Sequence, residues 1–503
     1  MYKSLRHLLR TFSRLALCLP FALVVWRFLH VPHASAAQSA TPAKILWTSR
    51  TTSVNPHPQP SLAVPVVPPG SAIYVAKKGD TITSVARQFV PQTAFLTTSQ
   101  LERAIDEANG NLTGRFLKAG QPVIVPDILS APVAEKSIPV PRDFEVRAIY
   151  LTGLMAGSDH GLRIIRRWRE LGGNAVVFDI KDSDGTINIP FDHPLAGKHN
   201  TPIRNLAKFT HFLHSQNMHA IARVAIFRDE RLVTSHPELA VKSHRTSQPW
   251  RENGKFVWTD PSQPKVQEYD IALAKKAIEG GADEIQFDYV RFPAEGDQKD
   301  AGFLFQTEHP KWQRSDVIAD FLKRAYAELH PSGVLLSLDV FGVMAWQRPV
   351  DLSHTGQDIV SMAKYCDVLS PMIYPSHFFG MDGYDHPGDA PEHFIGESME
   401  RFQLITQGSG VVIRPWLQAF HWRTNTYSPK YIETQVLTAK NKNGIGFLFW
   451  NANNDYSKPF AAMPKMAAAK DQYFRGDELS GVAQAGMRSE GLQAPPAAVQ
   501  SAR

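Results

Sequence analysis

Near the middle of the chain stands EIQFDYVRFP, Glu284 to Pro293. Ile285, Phe287 and Tyr289 alternate with other residues, the period of a half-buried strand. Yet Asp288 and Arg291 sit near its end, and a carboxylate is costly to bury without partners. Other apolar runs end in the same polar way. FDIKDSDG supplies Asp179, Lys181, Asp182 and Asp184, and IARVAIFRDE supplies Arg223, Asp229 and Glu230. LSLDVFG supplies Asp339, and SPMIYPSHF supplies Tyr374 and His377. RPWLQAFHW carries Trp416, Gln418 and His421, and FLFWNANND carries Trp450, Asn451 and Asn453. Carboxyl groups among flat aromatic rings are the equipment of sugar binding and glycosidic hydrolysis. Rings cover the apolar faces of pyranoses. One carboxyl protonates the leaving oxygen, and another attacks or activates water.

Within that chemistry Asp288 is expected as nucleophile or base. Arg291 is expected to orient it or hold it ionised, since a nearby cation favours the charged form. Asp339, flanked by Leu338, Val340 and Phe341, is expected as the acid, because desolvation raises a carboxyl pKa. Asp179 and Asp182 compete for that second role, with Asp179 mainly a substrate-binding group. Arg223, Arg291, Tyr374, Trp416, Gln418, Trp450 and Asn451 complete the expected substrate-binding set. Metal chemistry is the rival. DIKDSD has three close carboxylates but lacks the later glycine and glutamate of an EF-hand loop. No HExxH or H-x-H stands at these strand ends, and His377, His386, His393 and His421 are scattered. No metal and no cofactor are expected.

Such residues converge only if the strand ends do. Eight strand candidates recur, at 146–152, 174–181, 219–227, 284–292, 335–342, 368–375, 412–419 and 446–452. Helical patterns lie between most of them, at 161–171, 203–216, 263–280, 315–329, 356–364 and 429–441. Alternation of this kind implies right-handed parallel crossovers. The predicted fold class is α/β, a (β/α)8 TIM barrel whose active site lies at the strand C-termini. A doubly wound sheet is the alternative. Its Gly-rich phosphate loop is missing after the first strand, where LTGLMAGSDHG stands, so no dinucleotide is expected.

Five of the 54 basic residues precede Ala37 and no acid does, which leaves the remainder nearly balanced against 48 acids. That argues against a nucleic-acid partner. MYKSLRHLLRTFSR, the apolar run LALCLPFALVVW and Ala34-Ser35-Ala36 read together as a signal peptide over residues 1–36. Membrane contact is then transient, and the location is secreted or periplasmic, with the cell envelope. Cys366 would be the remaining cysteine, without an intrachain disulfide. Residues 37–71 form a Pro-rich linker. Residues 72–128 read as strand, helix, helix, strand, a small α+β unit. Residues 129–143 are a second linker, 144–462 the barrel, and 463–503 a disordered tail.

The small unit resembles the LysM module, which binds GlcNAc-containing glycans such as peptidoglycan. The resemblance rests on Tyr74-Val75, Lys78-Gly79-Asp80-Thr81, Ser84-Val85-Ala86, Asn109, Leu117 to Gln121, and Val125-Pro126. Pro91 to Thr98 is longer than the usual connector and is expected to bear on the glycan groove. Residues 144 to 460 resemble an uncharacterised family of bacterial TIM-barrel glycoside hydrolases. VRAIYLTG, NAVVFDIKDSDG, IARVAIFRD, GADEIQFDYVRFP, LSLDVFG, SPMIYPSHF and GFLFWN carry that match. The resemblance implies a carbohydrate-active barrel with a polysaccharide substrate. The fourth-strand run also looks distantly like that of chitinase-type barrels. Gln286 and Val290 replace the acids such a mechanism needs, and this excludes it. The alternative function is a non-catalytic glycan-binding or envelope scaffold with a degenerate barrel. The discriminating feature is whether Asp288 has a second carboxyl partner.

Overall fold

The computed structural model describes residues 67–112 and 116–476. The expected signal peptide, most of the expected first linker and residues 477–503 lie outside the described residues.

Eight parallel strands close into a barrel. In chain order they are Val146–Leu151, Ala175–Lys181, His219–Ala225, Glu284–Asp288, Leu335–Phe341, Val368–Met372, Trp416–Gln418 and Gly446–Trp450. A short piece, Val412–Ile413, precedes the seventh. Pro415 lacks a backbone N–H, and the seventh strand is interrupted there. Strands five and six pair from Ser337 with Val368 to Phe341 with Met372. The eighth strand pairs back onto the first, Gly446 with Val146 through Phe449 with Ile149. All eight predicted strands are present.

Both strand faces are buried, which explains their nearly continuous apolar composition. One face points into the barrel, where Val146, Ala148, Tyr150, Ala175, Val177, Ile221, Trp416 and Leu448 pack together. The other meets the helices through Ile149, Val176, Phe178, Ile285, Phe287, Leu336 and Leu338. Two helices escape the sequence pattern, Pro391–Ile405 and Ser457–Ala468. The second corrects the boundary at 462. Pro464 and the alanines look like tail composition, yet Ala462, Met463 and Met466 are buried against the barrel. Phe474 beyond them lies 4.5 Å beneath the Arg147 guanidinium.

In the small unit, Ala72–Val75 pairs antiparallel with Pro122–Val125, and helices Ile82–Phe89 and Thr98–Ala108 lie between them in sequence. Thr81 and Ser84 form a capping box at the first helix. The Asn109 amide bonds Ile124 in both directions, from Nδ2 to its carbonyl at 2.9 Å and to Oδ1 from its N–H at 2.8 Å. The long connector stands on the barrel. Lys208 Nζ donates to the Val90 carbonyl at 2.7 Å, Arg204 donates to Thr98 Oγ1 at 3.2 Å, and Thr97 donates to Asp159. The second linker is not a free spacer either. Ile138 N–H donates to Asp283 Oδ1 at 2.6 Å, and Glu135 takes hydrogen bonds from His211 and His214.

Closure depends on one glycine. Gly446 has φ of +76°, and a Cβ there would lie 2.0 Å from the Val146 carbonyl oxygen. Gly446→Ala is expected to destabilise the barrel by about 3 kcal/mol or more, read as a fall in the urea midpoint. An unchanged midpoint would refute the closure argument.

Candidate active site

The two-residue period sets which side chains enter the barrel. On the fourth strand Glu284, Gln286 and Asp288 face inward, while Ile285 and Phe287 face the helices. Leu338 pairs with Phe287, so Asp339 on the fifth strand stands level with Asp288. Arg223 on the third strand pairs with Asp179 on one side and Gln286 on the other. It therefore sits one inward position below Asp288, and its long side chain rises to meet it.

That guanidinium organises the mouth. Its Nη2 and Nε donate to Asp288 Oδ2 at 2.5 and 3.1 Å, and its Nη1 donates to Asp179 Oδ1 at 2.5 Å. Its Nε lies 3.9 Å from Asp339 Oδ2. Asp288 and Asp339 thus converge on one nitrogen. The remaining oxygens have partners of their own. Tyr150 donates its hydroxyl to Asp179 Oδ2, and the Trp416 indole N–H donates to Asp339 Oδ1 at 2.7 Å. Tyr150 stacks on Trp450 at 4.1 Å, and Arg223 lies 5.2 Å from the Trp450 ring centre.

Three carboxyls share one cation, and two of them are pushed toward protonation. Burial, and then the charge of Asp288, push Asp339 well above the carboxylate range; Arg223 and the Trp416 bond only partly offset this. Burial lifts Asp179 to about 7, with Arg223 pulling it back and Asp182 adding to the rise. Asp288 is the most exposed of the three, its side chain 9% accessible against 1% for Asp339. Its Oδ1 accepts only the Tyr289 N–H, at 2.6 Å. Tyr289 has φ of +55°, a strained conformation for an aromatic residue, and it turns the chain out of the strand.

The structure gathers Asp179, Arg223, Asp288, Asp339, Tyr374, Trp416 and Trp450 at one mouth, with Asp182 half-buried beside them. Four expectations need correction. Arg291 makes no hydrogen bond to Asp288. It packs 4.6 Å over Trp258 and 4.4 Å over Phe341 and donates to the Phe292 carbonyl. Arg223 takes the role expected of it. Trp416 is 1% exposed, which makes it the holder of Asp339 rather than a sugar platform. Gln418 donates to the Phe420 and Trp422 carbonyls, and Asn451 to those of Ala419 and Asp455. Both amides shape loops. Lys181 lies past a register shift after Asp179 and pairs with Asp229 at 2.9 Å and Asp270 at 2.8 Å. Tyr150 is the residue the sequence reading missed. Its inward parity with Val146 and Ala148 was the available signal.

Residues 148–456 match the protein family described as "Putative glycosyl hydrolase domain". Among solved structures, a hypothetical protein from Ruminiclostridium thermocellum ATCC 27405 is 36% identical over 38% of this chain and 97% of its own, with a TM-score of 0.34. The glycoside hydrolase domain of PgaB (BpsB) from Bordetella bronchiseptica is 14% identical over 66% of this chain and 100% of its own, with a TM-score of 0.49. The spore cortex-lytic enzyme SleL of Bacillus megaterium QM B1551 is 12% identical over 82% and 88%, with a TM-score of 0.39. No curated protein sequence matches the chain. The structural likenesses are too low to bear on chemistry, which rests on the family match and the geometry of the site.

Arg223→Met would leave three buried carboxyls without their cation. One-sided loss of a buried ion pair costs about 3–5 kcal/mol. Without the guanidinium, the folded-state pKa values of Asp179 and Asp339 rise further above their unfolded values. Their contribution is then favourable at low pH and lost as pH rises. Urea unfolding should show the full loss at pH 8 and a smaller one at pH 5. Equal losses at both would contradict the charge balance described.

Proposed function

The chain belongs to this glycosyl hydrolase family, and on that premise we propose that it cleaves glycosidic bonds in a cell-envelope or extracellular polysaccharide, from a secreted or periplasmic position. The observation that carries this reading is the approach of Asp288 and Asp339 to the single Arg223 Nε, at 3.1 and 3.9 Å. A carboxyl paired with a cation beside one pushed toward its neutral form is the pairing that acid-assisted glycoside cleavage needs. The scaffold alternative required that Asp288 have no such partner.

In this mechanism Asp288 attacks the anomeric carbon, or activates water toward it, through Oδ1. Arg223 fixes its other oxygen. Asp339 supplies the proton to the leaving oxygen. Tyr150 and Trp450 wall the sugar side of the site. Asp179, which shares the guanidinium and is lifted to about 7, and Asp182 at the edge of the mouth are the other acids that compete for the proton-donor role.

The strand-helix-helix-strand unit is the proposed LysM-like module for peptidoglycan or another GlcNAc polymer. The Asn109 bridge to Ile124 and the Asp80 turn, which accepts from Tyr74 at 2.7 Å, support it. Such a module raises local substrate concentration and leaves the chemical step unchanged. Residues 1–36 are proposed as the export signal.

The test is reducing-sugar release from sacculi and from GlcNAc- and galactosamine-type exopolymers. Wild-type chain from Ala37 onward should release sugar, and Asp288→Asn should bind but not release it. Asp339→Asn should lower kcat/KM by about 10²–10⁴ and abolish the alkaline limb of its pH profile. If Asp179→Asn or Asp182→Asn does this instead, that residue is the acid. Unchanged release by Asp288→Asn would end the assignment.

A further inference from the structure

The loops after the sixth and seventh strands carry aromatic rings outward from the carboxyls. Tyr374 borders the catalytic cluster, where Asp339 and Asp288 both act on its phenol. It meets Phe420 edge-on at 5.5 Å and His377 at 5.3 Å. His377 lies 4.8 Å from Trp422. The Arg423 guanidinium then covers Trp422 at 4.5 Å and Phe379 at 5.1 Å. Trp422 is half-buried, and Phe379 at the end of the row is 70% exposed. These rings form one track from the buried carboxyls to open solvent.

The track is held in place by polar groups that do no other work at the mouth. Asp389, before the helix that follows strand six, accepts from Thr424 Oγ1 at 2.7 Å, Asn425 N at 2.6 Å and Thr426 N at 3.1 Å. It thereby ties one loop to the other. Gly388 packs so closely that a Cβ would lie 2.0 Å from the Arg423 carbonyl oxygen. Gln418 holds the carbonyls of Phe420 and Trp422 from beneath. A large aromatic group left exposed on a rigid support, continuous with a reactive centre, is a preorganised platform.

We propose that this track is a row of sugar-binding subsites, so that the barrel grips several consecutive units of a pyranose polymer, with Trp422 and Phe379 as distal platforms. The inference rests on the glycosidase reading above. Pyranose rings present apolar C–H faces, and stacking on successive aromatic rings suits a continuous polymer more than a single terminal unit.

The experiment uses the chain from Ala37 onward with two probes, a GlcNAc/glucosamine polymer and a galactosamine polymer. The hydrolysis arm compares wild type with Phe379→Ala/Trp422→Ala on each polymer and on its trisaccharide. Polymer KM should rise roughly tenfold or more, with trisaccharide turnover unchanged. Equal polymer KM would overturn the proposal, as would an equal loss on the trisaccharide. Phe379→Ala alone, at the exposed site, serves if the double variant fails to fold. The binding arm follows tryptophan emission in a chain that also carries Trp47→Phe, because residues 72–128 contain no tryptophan and Trp47 is the one tryptophan between Ala37 and the module. Asp288→Asn is titrated with each polymer, with and without Phe379→Ala. If wild type releases no sugar but this substitution still weakens binding about tenfold, the rim stands and the hydrolase reading falls. Equal binding by the two variants, or no emission change with either polymer, overturns the rim.

Discussion

One guanidinium among three carboxyls is the constraint from which the rest of the site follows. Arg223 is enclosed in the barrel, where an unpaired ion costs several kcal/mol. Its hydrogen bonds to Asp288 and Asp179 meet that cost. A third acid, Asp339, then stands in a place where the positive charge is already committed. Burial and the neighbouring charge keep it protonated. The aromatic residues around the cluster follow from the same constraint. Tyr150 and Trp416 close the barrel interior with apolar rings and offer O–H and N–H donors to the oxygens Arg223 does not reach.

The opposite end of the barrel shows why residue type alone does not make a site. There Glu284 takes two hydrogen bonds from Arg414 and one from His219, all buried. Burial alone would raise the Glu284 pKa. The charge of Arg414 and the His219 bond outweigh it and hold the group at about 2. The pair closes the N-terminal end of the strands, the end that in this architecture serves stability rather than chemistry. A similar Arg–carboxylate pairing at the C-terminal ends leaves Asp288 partly open to the mouth, with an oxygen free of the guanidinium. Position in the barrel separates the two.

The loops explain the polar residues that do not join the cluster. Gln418 and Asn451 spend their hydrogen bonds on the backbone of the rim, and Asp389 on its backbone and side chains. A seventh strand that ends in polar residues looks, in sequence, like a strand that delivers ligands. In space its amide satisfies carbonyls that a tight turn would otherwise leave unpaired. Trp258 and Phe341 similarly enclose Arg291, which had every sequence attribute of a site residue.

Much of the fold was legible because it rests on local periodicity. Eight apolar runs with polar ends, spaced by helical patterns, required parallel strands with both faces covered, and a barrel satisfies that. The two missed helices were obscured by Gly396 in one and by Pro391 and Pro464 at the start of one and within the other, where tertiary burial overrides propensity. Asp179, Arg223, Asp288 and Asp339 could be named in advance because each falls at a strand end. Which of them pair could not. Asp288 and Arg291 are three residues apart, but Tyr289 adopts a left-handed turn that carries Arg291 out of the barrel. Arg223, 65 residues earlier, has the inward parity and the reach to Asp288. Sequence determined which side chains enter the barrel, because side-chain direction alternates along a strand. Tertiary structure decided which charges meet, because that depends on the register between strands and on where each strand bends.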